Sequence, residues 1–340
     1  MRLRVEDLTR FWAAACEPRP LMIVGAGRWG RTLSEVAAQA RGDASHLALV
    51  ARHNLEDTRT WRDADARRTR LEIARDIPSA LEALSAGTQQ QPLAIVASRP
   101  VDHVRDARAC LERGLDTLVE KPLTANPADA DELARAAAVA KRLLALGVEF
   151  SLMPAFHYAV TRYAAPVKKA RLQWSDPPGE LRHGQRKRAH EELHAVEDNL
   201  THAISIFRIF APPNARFAVT TADMPGSRDG GTVVFASDDA TWEFVVDRAA
   251  AVRRRHLEVE TTNGHLIAVD FSEPEGVVWF DGQRSELPRP WAGLSSTLRL
   301  EIGAFFTQTT ARTSASPLTH DVLEYARLHE AVLHVCRPGR

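Results

Sequence analysis

The stretch Leu21-Met22-Ile23-Val24-Gly25-Ala26-Gly27-Arg28-Trp29-Gly30 decides how the first half of the chain is read. Four apolar residues, a G-x-G-x-x-G turn and a helical pattern to about Ala40 spell strand, tight turn, helix. Gly25 allows the turn, Gly27 lets the backbone approach a pyrophosphate, and Gly30 permits close packing of helix on strand. The helix start, with Arg28 and Trp29 in its first turn, offers backbone N–H groups to an anion. The alternation then continues. Residues 46–51, 93–98 and 115–119 are short apolar runs, and 101–113 reads as a helix closed by Gly114. Asn126-Pro127-Ala128-Asp129 opens another helix, expected to end near Gly147, with 148–152 as the last strand of this half. Strands alternating with helices imply a doubly wound parallel sheet, a Rossmann-type domain over residues 21–150.

Residues 3–16 place Leu3, Leu8, Phe11, Trp12 and Ala15 at helical spacing, and Pro18 and Pro20 end that helix, so residues 1–20 read as an N-terminal helical extension. The second half changes character. Residues 167–175, 215–222, 231–237, 241–248, 252–262, 265–270 and 276–280 read as extended segments, separated by turn signals such as Asp229-Gly230, Asn263-Gly264 and Asp281-Gly282. One helix, about 196–210, interrupts them, and helices return after residue 295. The expectation is an α/β chain. A C-terminal α+β domain with a large, mostly antiparallel sheet spans 151–320, and a helix capped by Ser316-Pro317 occupies 321–340. Trp242, Phe244 and Val246, with Leu257 and Val259, are expected on an open apolar sheet face that pairs with a second subunit, giving a homodimer or homotetramer.

Composition bounds the function. The chain has 340 residues, with Lys+Arg and Asp+Glu both 44, so its formal net charge is zero. That argues against a nucleic-acid binder. Its three cysteines, Cys16, Cys110 and Cys336, are far apart and in no metal spacing, and no apolar window is long enough for a membrane span. Residues 1–20 carry Glu6, Asp7 and Glu17 and no apolar core of a secretory signal, so a cytoplasmic location is expected. His183, His190, His194 and His202 match no metal-ligand spacing, and no metal is expected.

The end of the second strand bears on the cofactor. Leu49-Val50-Ala51-Arg52-His53-Asn54 has no acid where a ribose-binding Asp or Glu is expected; Arg52 stands there instead. A guanidinium pairs with a 2′-phosphate, which favours NADP. With Arg52 solvated and Glu56 or Asp57 on the ribose, NAD stays open.

Three elements in order carry a resemblance: Gly25-Ala26-Gly27-Arg28-Trp29-Gly30, Ser98-Arg99-Pro100 with His103, and Val119-Glu120-Lys121-Pro122-Leu123. Together they resemble the Gfo/Idh/MocA oxidoreductases, and the antiparallel second half extends the likeness over nearly the whole chain. The resemblance implies an NAD(P)-dependent enzyme that moves a hydride between nicotinamide and a C–OH/C=O carbon of a small polar substrate. In such enzymes the Lys of Glu-Lys-Pro is catalytic, here Lys121, with Glu120 on the nicotinamide side. Ser98, Arg99, Pro100 and His103 would lie along the cofactor. Physically, Lys121 follows a parallel strand, where ligands of doubly wound sheets bind, and an ammonium there can polarise a reacting oxygen. Asp198 and His202 are four apart on the 196–210 helix and share a face away from Leu200, Ala203, Ile204 and Phe207. The family has Asp and His in this arrangement at the substrate, which implies His202 as the proton-exchanging group and Asp198 as its orienter. Where sugar-oxidising members carry glycines before that Asp, this chain has His194-Ala195-Val196-Glu197, which keeps C=N reduction open as a second chemistry. A non-catalytic NADP-binding sensor would need the glycines but not Lys121 and His202. The basic segment Arg182, His183, Arg186, Lys187, Arg188 and His190 suits an anionic substrate if it folds over the pocket as a lid. Arg253-Arg254-Arg255 reads as a solvated strand edge.

Overall fold

The structure, a computed structural model, describes residues 2–86, 89–162, 165–182, 185–186, 193–311, 318 and 322–336. The chain divides into two compact units. One comprises Glu6–Glu149 and Leu298–Ala326; the other comprises Met1–Val5, Phe150–Thr297 and Arg327–Arg340.

The first unit opens with α1 (Val5–Ala14). There follow β1 (Leu21–Val24), α2 (Arg28–Arg41), β2 (Leu47–Val50), α3 (Leu55–Asp63), β3 (Glu72–Ala74), α4 (Ile77–Ser85), β4 (Leu93–Val96), α5 (His103–Glu112), β5 (Thr117–Val119), α6 (Pro127–Ala140) and β6 (Leu144–Leu146). The sheet order is β3-β2-β1-β4-β5-β6 with every pair parallel, the doubly wound order expected from the Gly turn. β1, β2 and β4 are buried at every residue, so they read as unbroken apolar runs rather than as alternation. The run α3-β3-α4 had no counterpart in the sequence reading, because β3 is only three residues long and half exposed.

The end of this half differs from expectation. α6 stops at Ala140, not near Gly147, because Lys141 turns left-handed and the Arg142 N–H returns to the Ala137 carbonyl. Asp116 Oδ1 then accepts the Leu143 N–H at 2.8 Å, which frees 144–146 to pair with β5 as β6. Residues 149–152, expected as a strand, wind into a 3₁₀ turn.

In the second unit come α7 (Pro154–Arg162), β7 (Val167–Ser175), the short hairpin β8 (Leu181–Arg182) and β9 (Gln185–Arg186), and α8 (Ala195–Phe210). They are followed by β10 (Ala218–Asp223), β11 (Gly230–Ser237), β12 (Ala240–Asp247), β13 (Arg254–Thr261), β14 (Leu266–Asp270), β15 (Val277–Phe280), β16 (Gln283–Ser285) and α9 (Arg289–Ala292). Eight strands form one sheet, β10-β11-β12-β7-β13-β14-β15-β16, antiparallel except for the β7–β12 pair. Trp242, Phe244, Val246, Leu257 and Val259 alternate as read, but they are at most 2% exposed. They face the covered side, where Phe207 of α8 packs on Trp242 at 5.3 Å, so the open-face expectation for them is corrected. Each such side chain contributes roughly 1.5–3 kcal/mol by leaving water. The alternate positions of β12 and β13 are polar except for Val245, with Arg171–Glu243 and Lys168–Glu260 pairs across neighbouring strands.

Two helices complete the chain, α10 (Thr297–Ala311) and α11 (Val322–Val335). A Cβ on Gly303 would stand 1.7 Å from the Phe11 carbonyl oxygen, so α10 meets α1 at backbone contact. That contact brings Leu298–Ala326 to the first unit, although the sequence reading assigned α10 to the 151–320 domain. Ser316, Pro317, His183, Lys187, Arg188 and His190 lie outside the described residues. Among the described residues no helix is long and apolar enough to cross a membrane, and all three cysteines are unbridged.

Candidate active site

In the first unit the glycines act as their positions require. Gly25 has φ +116°, and a Cβ there would meet the Ala97 carbonyl oxygen at 2.5 Å, so this turn admits only glycine. A Cβ on Gly30 would collide with the Gly25 carbonyl at 1.8 Å. Gly27 is different: nothing lies within 4 Å of its Cβ position. It is the N-cap of α2 and makes no side-chain cap, so the first turn, with Arg28 and Trp29, presents N–H groups to open space. The loop is pinned from behind, where Arg31 Nε and Asn54 Nδ2 both donate to the Ala26 carbonyl at 3.1 Å. Trp29 Nε1 is buried toward the Glu120 carboxyl without a formed hydrogen bond, and Ser98 Oγ is buried toward Asp106. An open cradle and an uncapped helix start fit a bound dinucleotide.

Arg52 follows β2 as read, but it is not a bare surface cation. Its Nη1 donates to both oxygens of Asp106, at 2.9 and 2.8 Å. Burial pushes the Asp106 carboxyl up, yet the hydrogen bonds from Arg52 and Arg105 win and hold it below the usual carboxylate range. The acids considered for the ribose are engaged elsewhere: Glu56 pairs with Arg59, and Asp57 with Arg31.

His103 is buried, with Nδ1 2.8 Å from the Pro122 carbonyl and Nε2 3.1 Å from that of Ser98. A neutral imidazole donates to one of these carbonyls at a time, and burial lowers its pKa, so the ring ties the loop after β4 to the loop after β5. Arg99 is largely exposed and pairs with Asp102, and Pro100 opens a 3₁₀ turn. The Lys121-Pro122 peptide bond is cis.

Glu120 is 4% exposed, and a Cβ on Gly147 would touch its carboxyl at 3.1–3.2 Å. Burial raises its pKa, opposed by the Trp29 indole, which falls short of a formed hydrogen bond, and by the Lys121 ammonium. Sequence reasoning missed its neighbour. Glu301 of α10, 1% exposed, is raised well above the ordinary value by burial and then by the charges of Glu120 and Glu149. Like charges buried together do not all ionise, which favours the protonated form of Glu301.

In the second unit, the residues His194-Ala195-Val196-Glu197 build the start of α8. His194 N donates to Glu197 Oε2 at 2.9 Å, and His194 Nδ1 accepts the Val196 N–H at 3.2 Å. The residues that replace the expected glycines therefore cap the helix. Asp198 and His202 do share a face, but α8 is buried nearly all round: Asp198 is 7% and His202 3% exposed. Asp198 Oδ2 accepts from Arg248 Nη2 at 2.7 Å inside the protein. His202 lies flat on Trp174, with centroids 5.5 Å apart and planes 4° apart, and Phe150 meets it edge-on at 5.0 Å. Trp174 Nε1 donates to Asp176 Oδ2 at 3.1 Å. Arg255 stacks 4.0 Å from the Trp174 centroid and donates to Asp176 Oδ1. The edge reading of Arg253-Arg254-Arg255 fails at Arg255, which is 3% exposed. Arg255 stands opposite Trp174 in the β7–β13 register, on the covered face. Arg248 and Trp174 had no sequence signal, since both matter through partners distant in sequence. The unassigned His157 is fully buried and bonds the Leu3 N–H and the Ser151 carbonyl, a structural role. Among the described residues no group of three or more His, Cys, Asp or Glu could hold a metal ion.

Residues 20–148 match the family model for the Gfo/Idh/MocA oxidoreductase family, NAD-binding Rossmann fold. Similar solved structures include UDP-N-acetylglucosamine 3-dehydrogenase GnnA from Acidithiobacillus ferrooxidans, at TM-score 0.72 and 16% identity over 93% of this chain and 95% of that one. An inositol dehydrogenase homolog from Azotobacter vinelandii, complexed with NADH and myo-inositol, has TM-score 0.73 and 16% identity over 94% and 96%. A point mutant of KijD10, a 3-ketoreductase from Actinomadura kijaniata, in complex with TDP-benzene and NADP, has TM-score 0.72 and 16% identity over 94% of this chain and 98% of that one. At such identities the likeness is one of fold. No curated protein matches the chain in sequence.

Proposed function

We propose, from the premise that this chain is an NAD(P)-dependent oxidoreductase with the Gfo/Idh/MocA nucleotide-binding domain, that it transfers a hydride between NADP and a C–OH/C=O carbon of a small, polar, sugar-like substrate. The open Gly27 cradle before the uncapped start of α2 carries this reading, because it leaves backbone donors aimed at nothing but a ligand. The bound nicotinamide supplies or accepts the hydride. Lys121, at the carboxyl end of β5, polarises the reacting oxygen, and Glu120 with Glu301 sets the charge beside it. His202 exchanges the proton, held in plane by Trp174. Asp198, neutralised by Arg248, keeps the first turn of α8 in place. Arg52, steadied by Asp106, meets the 2′-phosphate and favours NADP.

The test is a substrate panel of sugars, sugar acids, nucleotide-sugars and cyclic imines, each with both cofactors, followed at the reduced-nicotinamide absorbance. Turnover of a hydroxylated member with preference for NADP supports the reading. Turnover of imines alone replaces it with C=N reduction, and cofactor binding without turnover of any member points to a sensor. Self-association to a homodimer or homotetramer is part of the proposal. Its surface would be the polar sheet face of Arg171, Glu243 and Lys168 rather than Trp242 and its neighbours, and light scattering at micromolar concentration reads it.

A further inference from the structure

At the amino-terminal ends of β4 and β5, the edge of the parallel sheet opposite to Gly27 and Lys121, the first unit contains a cavity of about 490 Å³. Arg19, Arg142, Gln90, Gln91, Thr309 and Thr310 line it. That volume falls in the usual range for small-molecule sites, roughly 300–1,000 Å³. Arg19 is held in place by one corner of its guanidinium, where Nη1 donates to Thr309 Oγ1 at 2.6 Å, Thr310 Oγ1 at 3.2 Å and the Phe306 carbonyl at 3.2 Å. Arg142 makes no ion pair among the described residues, and its Nε is buried without a hydrogen-bond partner. One ring behind stands a third cation. Arg41 and Arg19 both lie over Phe306, at 5.3 and 5.7 Å from its centroid. All three guanidinium nitrogens of Arg41 are buried without a hydrogen-bond partner. Burial pushes its pKa down to about 10, with Asp43 opposing and Arg19 adding to the fall.

Asp43 is turned to Ser45 and Arg70, Asp116 accepts the Leu143 N–H, and Glu17 is exposed on the rim. Arg19 and Arg142 line the cavity together with Glu17 and Asp116, Arg41 stands behind Phe306, and buried guanidinium donors left unpaired cost stability that a bound anion recovers. The amide and hydroxyl groups of Gln90, Gln91, Thr309 and Thr310 add neutral partners for hydroxyl groups.

We propose that this cavity is a second ligand site, separate from the dinucleotide cradle, for a compact hydroxylated oxyanion of the phosphate-monoester or polycarboxylate type. Arg19 and Arg142 bind its anionic group, and Arg41 reinforces the positive field from behind Phe306. Anything that binds the native state alone raises its stability in a saturable way.

The experiment is calorimetric unfolding of the full chain saturated with NADP, titrated with glycerol phosphate in one arm and citrate in the other, at ionic strength held constant with sodium chloride. The expected result is a saturable rise in Tm in one arm, which names the anion class, on top of the rise due to NADP. Arg142→Met should abolish that rise. Arg41→Met should raise the Tm without any anion, because it replaces a buried unpaired cation by an apolar chain of similar length, and should weaken the anion response. A response equal to that of sodium chloride overturns the proposal. So does a response lost on NADP saturation, or one undiminished in Arg142→Met.

Discussion

Removing Arg248 isolates one buried charge, and its size can be worked from the geometry. Arg248 Nη2 stands 2.7 Å from Asp198 Oδ2, with side chains 8% and 9% exposed. At that separation and an effective dielectric of about 20, the gross attraction is about 6 kcal/mol. Desolvation of both ions offsets part of it, so Arg248→Met should cost about 3–5 kcal/mol, the usual loss when one partner of a buried pair is removed. Arg248 Nη1 also donates to the Leu193 carbonyl before α8, which adds to the loss. Asp198→Asn in the same chain removes the stranded charge, so the double variant should be more stable than Arg248→Met alone. Urea unfolding followed by tryptophan fluorescence and by circular dichroism measures the parent, Arg248→Met, Asp198→Asn and the double variant. Arg248→Met within about 1 kcal/mol of the parent, or a double variant as unstable as the sum of the singles, refutes the argument.

Arg52→Met should weaken NADP about 10–100-fold and leave NAD nearly unchanged, as for loss of a charge-assisted pair, and fluorescence titration with both cofactors reads it. Lys121→Met should abolish turnover while cofactor affinity stays within several-fold, and His202→Ala should slow turnover by about 10²–10⁴-fold, both by steady-state assay. Glu301→Gln tests the buried carboxyls. A carboxyl whose folded pKa is raised holds more protons folded than unfolded, so stability falls as pH rises above the ordinary value of 4.5. The amide should flatten that fall, raising Tm near neutrality and leaving it unchanged below the ordinary carboxyl pKa.

What the sequence shows in this protein is what local geometry dictates. Gly25 and Gly30 are legible because a positive φ and a backbone collision are consequences of one tight turn. The strands of the second half are legible from alternation, but alternation says that two faces exist and not which is covered. That is why Trp242 and Phe244 were expected outside and Arg255 at an edge. The partners of the candidate site are long-range pairs: Arg52 with Asp106, Asp198 with Arg248, and His202 with Trp174 are joined by register and helix docking, which no spacing encodes. Glu301 is further still, a lone Glu in an apolar helix whose meaning depends on α10 reaching β5.

β7 lies fourth of eight in its sheet, bonded to β12 on one side and to β13 on the other, and it carries Trp174 near its end. Thermal openings begin at sheet margins, here β10 and β16, and work inward. The ring on which His202 rests is therefore anchored to the part of the sheet that opens last. Its amides should be among the slowest of this unit to exchange with solvent, and the histidine keeps its orientation through fluctuations that release the margins.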